Sequence, residues 1–331
     1  MKKTVLLFFV LCALLSSSLV AAPEITLESA VIPGADILFE APTPLPKDSL
    51  ATKFIQQKIQ KQSKSTQLLF AVLNEAVFSK CRFLLTAKNP GKKFLDDDNP
   101  AAVEACLALE SPLPLNVTLD KLTMMVTMAA ARGNLEFTMR KIAPVEGLNA
   151  YQLQSSSIKS QVYVIVLSQD GRRALVGTKA IVQQRLKAAK PAVLHAVLEK
   201  ARKNHPRDTQ LIAAIVPNAE IAEAIIEERY LPDSTDAKFF RTAKAFSISA
   251  RSDAANIDAD IRLFGAEEDL VQSYFSASLM PYLELFNSMT LVMSEAKGMT
   301  LTPKCSKDVI SLGIRMNANN IGIFDKLNEI L

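Results

Sequence analysis

The chain has no tryptophan, only two histidines among its 331 residues, and an aromatic content of 6%. Little is therefore available to stack against sugar rings, and imidazole chemistry could draw only on His195 and His205. A charge-relay hydrolase needs a base oriented by a carboxylate and facing a nucleophile. No Gly-x-Ser-x-Gly turn accompanies either histidine. Zinc sites of common spacing are excluded as well, because no Cys-x-x-Cys or His-x-x-x-His pair occurs. Glycine is sparse (10 residues), and Gly171 and Gly177 have neither the spacing nor the lysine of a phosphate-binding loop. A net charge of +4 without a long basic run excludes nucleic acid as the ligand class. Beyond the N-terminus, no stretch approaches the roughly 18 apolar residues of a spanning helix, so an integral membrane protein is not expected. No cofactor is implied.

What is present begins with an address. Lys2 and Lys3 precede an apolar run from Val5 to Leu15, then Ser16 to Ser18 and the small-residue end Leu19-Val20-Ala21-Ala22. That order is the layout of a secretory signal. Cleavage is expected after Ala21 or Ala22, removing residues 1–22 and placing the product in the periplasm or outside the cell. Cys12 lies mid-run behind bulky Val10 and Leu11, where a lipid-attachment motif has small residues, so lipidation is not expected. Losing Lys2 and Lys3 takes the charge from +4 to +2, and an apolar content of 49% supports a substantial core. Cys81 and Cys106 flank the irregular stretch from Ala87 to Pro100. In an oxidising compartment they are either a disulfide, worth about 3 kcal/mol for such a loop, or two separate buried thiols. Cys305 is the odd one out under either reading.

Periodicity points to a duplicated α+β chain of two related units, each an antiparallel sheet with helices packed on one face. The first unit spans 23–205 and the second 206–331, with the boundary in the polar stretch Lys203 to Arg207. Each opens on an apolar strand (Ala35 to Glu40; Leu211 to Val216), followed by a turn and a helix (Asp48 to Lys61; Ala219 to Tyr230). Hairpins are expected at Lys121 to Ala130 with Asn134 to Ile142, and at Ala243 to Ala250 with Asn256 to Phe264. The alternation from Ile257 to Leu263 gives one wet face, carrying Asp258 and Asp260. Each unit closes on a further hairpin: Gln161 to Gly177, turning at Gly171 with positive φ, and Met299 to Met316. Short helices follow at Thr178 to Ala189 and Ile321 to Leu331. The first unit carries an insert at about 65–114, with a helix from Gln67 to Lys80 and an acidic loop at Asp96 to Asp98. The second carries a long helix from Ala266 to Met289, which Pro281 should kink.

Two of these segments carry a resemblance. The small-Asp-apolar strand Ala35-Asp36-Ile37-Leu38-Phe39, and the strand–turn–Leu-Val-Gly–helix from Val162 to Leu186, resemble a group of secreted bacterial proteins of unknown function. The resemblance implies the fold and brings no catalytic residues with it.

Few residues offer chemistry. Ser156-Ser157-Ile158-Lys159 and Ser294-Glu295-Ala296-Lys297 match the Ser-x-x-Lys pattern of a hydrolase, but neither has a Ser-Asp-Asn or Lys-Thr-Gly partner. The long second-unit helix is apolar over a wide arc that includes Tyr274, Phe275, Leu279, Leu283 and Phe286. Such a helix either packs between layers or meets a partner. The reading that follows is a non-catalytic extracytoplasmic protein that binds another envelope or secreted protein, or serves structurally. A Ser–Lys hydrolase and an apolar small-molecule or lipid carrier are the alternatives. The sequence does not set the oligomeric state.

Overall fold

The computed structural model describes residues 23–53, 56, 79–88, 104–131, 137–155, 162–188, 190–206, 208–229, 231–290 and 298–320. The signal segment, both Ser-x-x-Lys stretches, the acidic loop at Asp96 to Asp98, nearly all of the helix expected at Gln67 to Lys80, and the C-terminal helix lie outside them.

The described chain is an α+β protein built on one antiparallel sheet of twelve strands. The first half contributes β1 (Ile37–Ala41), β2 (Arg82–Ala87), β3 (Ala105–Glu110), β4 (Phe137–Val145), β5 (Leu148–Ser155), β6 (Val162–Leu167) and β7 (Arg173–Thr178). The second contributes β8 (Leu211–Ile215), β9 (Ala245–Ser252), β10 (Asn256–Phe264), β11 (Thr300–Ser306) and β12 (Val309–Asn317). Their order across the sheet is β11-β12-β10-β9-β8-β1-β2-β3-β7-β6-β5-β4. The two expected sheets are thus one, joined where β1 pairs with β8 through Ile37↔Ile215 and Phe39↔Ala213. Outward from that seam the halves repeat an order, β1-β2-β3-β7-β6 against β8-β9-β10-β12-β11. The first half then adds the hairpin β5-β4.

Two expectations for the first half are corrected by this topology. Residues 121–130 are not a strand: they belong to the helix α1 (Asn116–Ala131). Leu115, Leu119, Leu122 and Val126 recur there at helical spacing and pack on Met139, Tyr151 and Leu167. Thr and Val content suggests β there, but that preference yields to the packing of one apolar stripe. The supposed insert at 65–114 is no insert either, since it supplies β2 and β3 beside the seam.

Helices cover both faces of the sheet, which corrects the one-sided arrangement. On the near face, Leu38, Leu84, Ala108, Val166 and Leu175 pack under a 3-10 turn (Leu27–Ala30) and the helices α2 (Lys179–Lys187) and α3 (Ala196–Lys203). Buried Thr86 ties that turn down: its hydroxyl donates to the Ala30 carbonyl at 2.6 Å and accepts from Ile32 N–H at 3.2 Å. The far face is covered at one end by α1. At the other it is covered by α5 (Thr235–Thr242) and α6 (Glu268–Tyr274), through Phe239, Val271, Tyr274 and Ile310, and α7 (Met280–Thr290) follows in the same run. A further helix, α4 (Ala219–Arg229), packs on α5. Between α6 and α7 a π-helical turn (Phe275–Leu279) replaces the expected simple kink, with Met280 N–H bonding back to the Phe275 carbonyl. Pro281 follows directly; lacking an N–H, it favours such a break in the ladder.

Two tight hairpins need positive φ. Gly171 has φ 70° between β6 and β7, and Glu146 and Gly147 have φ 48° and 77° between β4 and β5. The second is the two-residue arrangement that matches strand twist.

Candidate functional site

At the seam, the near and far faces differ in kind. On the near face, Glu40 points into the core with only 6% of its side chain exposed. Arg202 of α3 donates to both its oxygens at 2.7 and 2.8 Å. The same guanidinium donates to Glu28 of the 3-10 turn at 2.8 and 3.1 Å. One cation therefore holds a strand, a helix and a turn together. Glu40, foremost, and Glu28 hold the Arg202 guanidinium protonated beyond its ordinary range.

On the far face the seam is bare of helix among the described residues, because α3 packs on β8 and β9 from the other side. Strand alternation brings Ile37 and Phe39 of β1, Ala213 and Ile215 of β8, Phe246 and Ile248 of β9, and Ile261 of β10 to this face. Ala213 lies between Phe39 and Ile248 in the register. A methyl group between two large side chains leaves a depression, and a trough of about 320 Å³ runs across the four strands here. Its walls are aromatic: Phe39 stacks on Phe83 at 5.5 Å, and Phe246 stacks on Phe240 of α5 at 5.9 Å. Phe39 and Ile248 remain 36% and 39% exposed. Among the described residues no ionisable side chain lines the trough. It can bind an apolar group, and its lining holds no acid, base or charged nucleophile.

The residues singled out from sequence do not gather at this site. Cys81 and Cys106 are not bridged. Thr86 faces Cys106 and Arg82 faces Glu110 across β2 and β3, so the two cysteines sit about five residues apart along the pair. At a rise of about 3.3 Å per residue that separation far exceeds the ~7 Å limit between bridged Cα atoms. Their side chains also enter different cores on opposite faces. Burial pushes the Cys106 thiol up to about 12 and raises that of Cys81, so neither is a ready nucleophile.

Of the proposed interaction helix, Tyr274 and Leu283 are buried, and Phe275 and Leu279 pack against the far-face core. Tyr274 stacks on Phe239 at 4.2 Å, nearly parallel. Phe286 is half-buried. The wide apolar arc is therefore spent largely on packing, and the outward positions are Tyr282 and Leu285 instead.

His195 is not within a helix: it caps α3, Nδ1 accepting from Val197 N–H at 3.4 Å. His205 lies just beyond α3 with both ring nitrogens shielded from solvent and without a well-formed hydrogen bond among the described residues. Burial, then the Arg262 charge, lower its pKa below the usual value. Asp258 and Asp260 sit on the wet near face and are paired, Asp258 with Arg251 at 3.1 Å and Asp260 with Arg262 at 2.6 Å. Among the described residues no group of three His, Cys, Asp or Glu side chains could hold a metal ion. No helix among them is long and apolar enough to cross a membrane.

Sequence reasoning missed the trough. A signal for it existed in Phe246-Ser247-Ile248-Ser249-Ala250, where apolar and small polar residues alternate. Nothing local said that the apolar side would lack a cover among the described residues.

Comparison with known proteins adds little to this geometry. No known protein family and no curated protein matches the sequence. The chain is similar to solved structures of TP0453. Its crystal form III gives a TM-score of 0.49 at 10% identity, covering 91% of this chain and 97% of that one. Form IV gives 0.48 at 10% identity, with 91% and 96% covered.

Proposed function

We infer that this is an exported, non-catalytic binding protein, and that the far-face trough at the β1·β8 seam is its binding surface. The observation that carries this reading is the exposed apolar lining around Ala213, walled by Phe39 and Phe246 and free of ionisable groups among the described residues. Its volume falls at the lower end of ligand-sized sites, roughly 300 Å³ and upward. Contact there is made by burial alone, so the matching ligand presents an apolar portion, from either another envelope component or a secreted partner. The signal layout at residues 1–22 supports the extracytoplasmic setting.

The absence of tryptophan makes the test direct. Phe39→Trp creates a single indole at the rim of the trough. Titration with the uncharged apolar probe N-phenyl-1-naphthylamine should then give saturable energy transfer from that indole. Adding Ala213→Phe, which fills the depression, should abolish it. Transfer that survives the filled trough would remove the assignment of this surface.

A further inference from the structure

Arg185 is the deepest-buried arginine among the described residues, exposed by 6%. It stands at an inward position of α2, whose buried residues are Val182, Arg185 and Leu186. A helix ordinarily gives that stripe to apolar side chains. Its Nε donates to the Ser29 carbonyl of the 3-10 turn at 3.1 Å, and among the described residues that is the guanidinium's one hydrogen bond. Cys106 of β3 is near enough to feel its charge, which favours the thiolate but is outweighed by burial.

Other partly buried arginines of the chain are paired. Arg202 holds Glu28 and Glu40, Arg173 holds Glu24 and Glu110, and Arg262 holds Asp260. The acids at and before the turn, Glu28 and Glu24, are thereby taken, and Glu146 pairs with Lys187 of α2. Arg185 is left as a core cation without a counter-ion. An uncompensated buried charge is strongly destabilising, and an apolar residue of similar length would remove that cost.

The guanidinium is not sealed in. Among the described residues, the side-chain nitrogens shielded from solvent without a well-formed hydrogen bond are those of His205. Nη1 and Nη2 of Arg185 also lack a partner, so they open to the surface. So small an opening cannot hydrate four N–H groups fully, but it leaves them reachable. They lie in one plane and offer two parallel bonds, the geometry that fits two oxygens of a carboxylate or a phosphate. We propose that Arg185 anchors an anion site between α2 and the 3-10 turn, taking the oxyanion of a small ligand, phosphate or carboxylate. This site is on the opposite face of the sheet from the trough and is independent of it.

The test follows the 15N–1H Nε resonance of Arg185 in the full chain, identified by its absence in Arg185→Met or Arg185→Lys. Sodium phosphate and, separately, sodium acetate are titrated against sodium chloride at equal ionic strength. An oxyanion should shift the resonance saturably and chloride should not. The thermal midpoint should rise with it, by about 2 °C at ten times the dissociation constant. A response to phosphate alone assigns a phosphate group, and a response to acetate assigns a carboxylate. Arg185→Lys keeps the charge without the fork and should weaken binding at least about tenfold. Arg185→Met should abolish the midpoint rise, and in chloride it should be at least as stable as the wild type. No saturable shift up to about 100 mM oxyanion, a hundred times a millimolar dissociation constant, would overturn the proposal. So would a midpoint rise that survives Arg185→Met. A destabilised Arg185→Met in a chain without an anion response would reduce Arg185 to a tie between helix and turn.

Discussion

The Arg202 clamp offers the sharpest energetic test of how α3, the seam strand β1 and the 3-10 turn are held together. Glu40 is a carboxylate with 6% of its side chain exposed, and Arg202, at 18%, supplies its two close charge-assisted hydrogen bonds. Replacing Arg202 by methionine keeps much of the apolar stem but leaves that carboxylate buried and uncompensated. Removing one partner of a buried pair costs about 3–5 kcal/mol, and the partial exposure of Arg202 places this case near the lower end. Glu28, 45% exposed, can be rehydrated and adds little. The paired change is the informative control. Glu40→Leu with Arg202→Met removes both charges, and such replacements are often neutral or stabilising, so the double variant should lie within about 1 kcal/mol of the wild type. Urea unfolding reads both. With a slope of about 3 kcal/mol/M, the single variant should lower the midpoint by about 1 M and the double variant should recover most of it. If Arg202→Met costs less than about 1 kcal/mol, Glu40 is effectively solvated and the desolvation argument fails. If the double variant is as unstable as the single, the clamp acts through shape and not charge.

Three further expectations can be checked alongside it. His205 is held below its ordinary pKa by burial and by Arg262, with Asp260 and the Ala201 carbonyl opposing. The unfolded chain therefore takes up a proton first as pH falls below about 6.5. Stability is full above that value and declines as pH drops toward the folded pKa; His205→Gln should flatten this slope in unfolding measured from pH 7.5 to 5, and an unchanged slope would contradict the burial. Cys81 and Cys106 should both be alkylated by iodoacetamide in denaturant without reductant, and both protected in the native chain; a mass corresponding to an unlabelled pair would mean a bridge after all. Glu146, at φ 48°, should be improved by glycine: relief of the left-handed strain, about 1 kcal/mol, exceeds the exposed ion pair to Lys187 that is lost. A net gain of about 0.5 kcal/mol is expected by thermal unfolding, and a loss would show that the ion pair matters more than the backbone.

Much of the α+β layout is legible locally, because a strand with one wet face announces itself. Ile257 to Leu263 alternates as β10 does, and the closing hairpins β6–β7 and β11–β12 lie where apolar runs meet a tight turn. The failures are equally physical. Residues 119–126 carry Thr, Met and Val, whose local preference is divided; the stripe that meets Tyr151 and Met139 decides for helix, and that contact is absent from any local window. Strands β2 and β3 sit between stretches without clear period, so the segment reads as an insertion although its register with β1 makes it central. The cysteines fail for a different reason. Flanking one irregular stretch suggested a bridge, whereas antiparallel pairing sets the starts of two successive strands, Cys81 just before β2 and Cys106 early in β3, a full strand length apart.

Function is harder to read because the trough and the outward side of α1, exposed at Val117, Met124 and Met128, are apolar faces that no other described residue covers. Phe39, Ala213 and Ile248 are ordinary sheet residues taken singly, and Val117, Met124 and Met128 are ordinary helix residues. The trough becomes visible only when four strands from both halves are side by side, since its floor is the seam itself. The α1 stripe becomes visible only when the inward side of that helix has been assigned, because a helix apolar all round looks from sequence like a buried one. The two surfaces differ in one respect that separates their roles. The trough has no charge to fix an orientation, and so suits an apolar ligand taken by area. The α1 stripe has Lys121 within it and Asp120 beside it. Met124→Glu with Met128→Glu should leave probe binding at the trough intact. A loss of probe binding would mean that the two faces are one site.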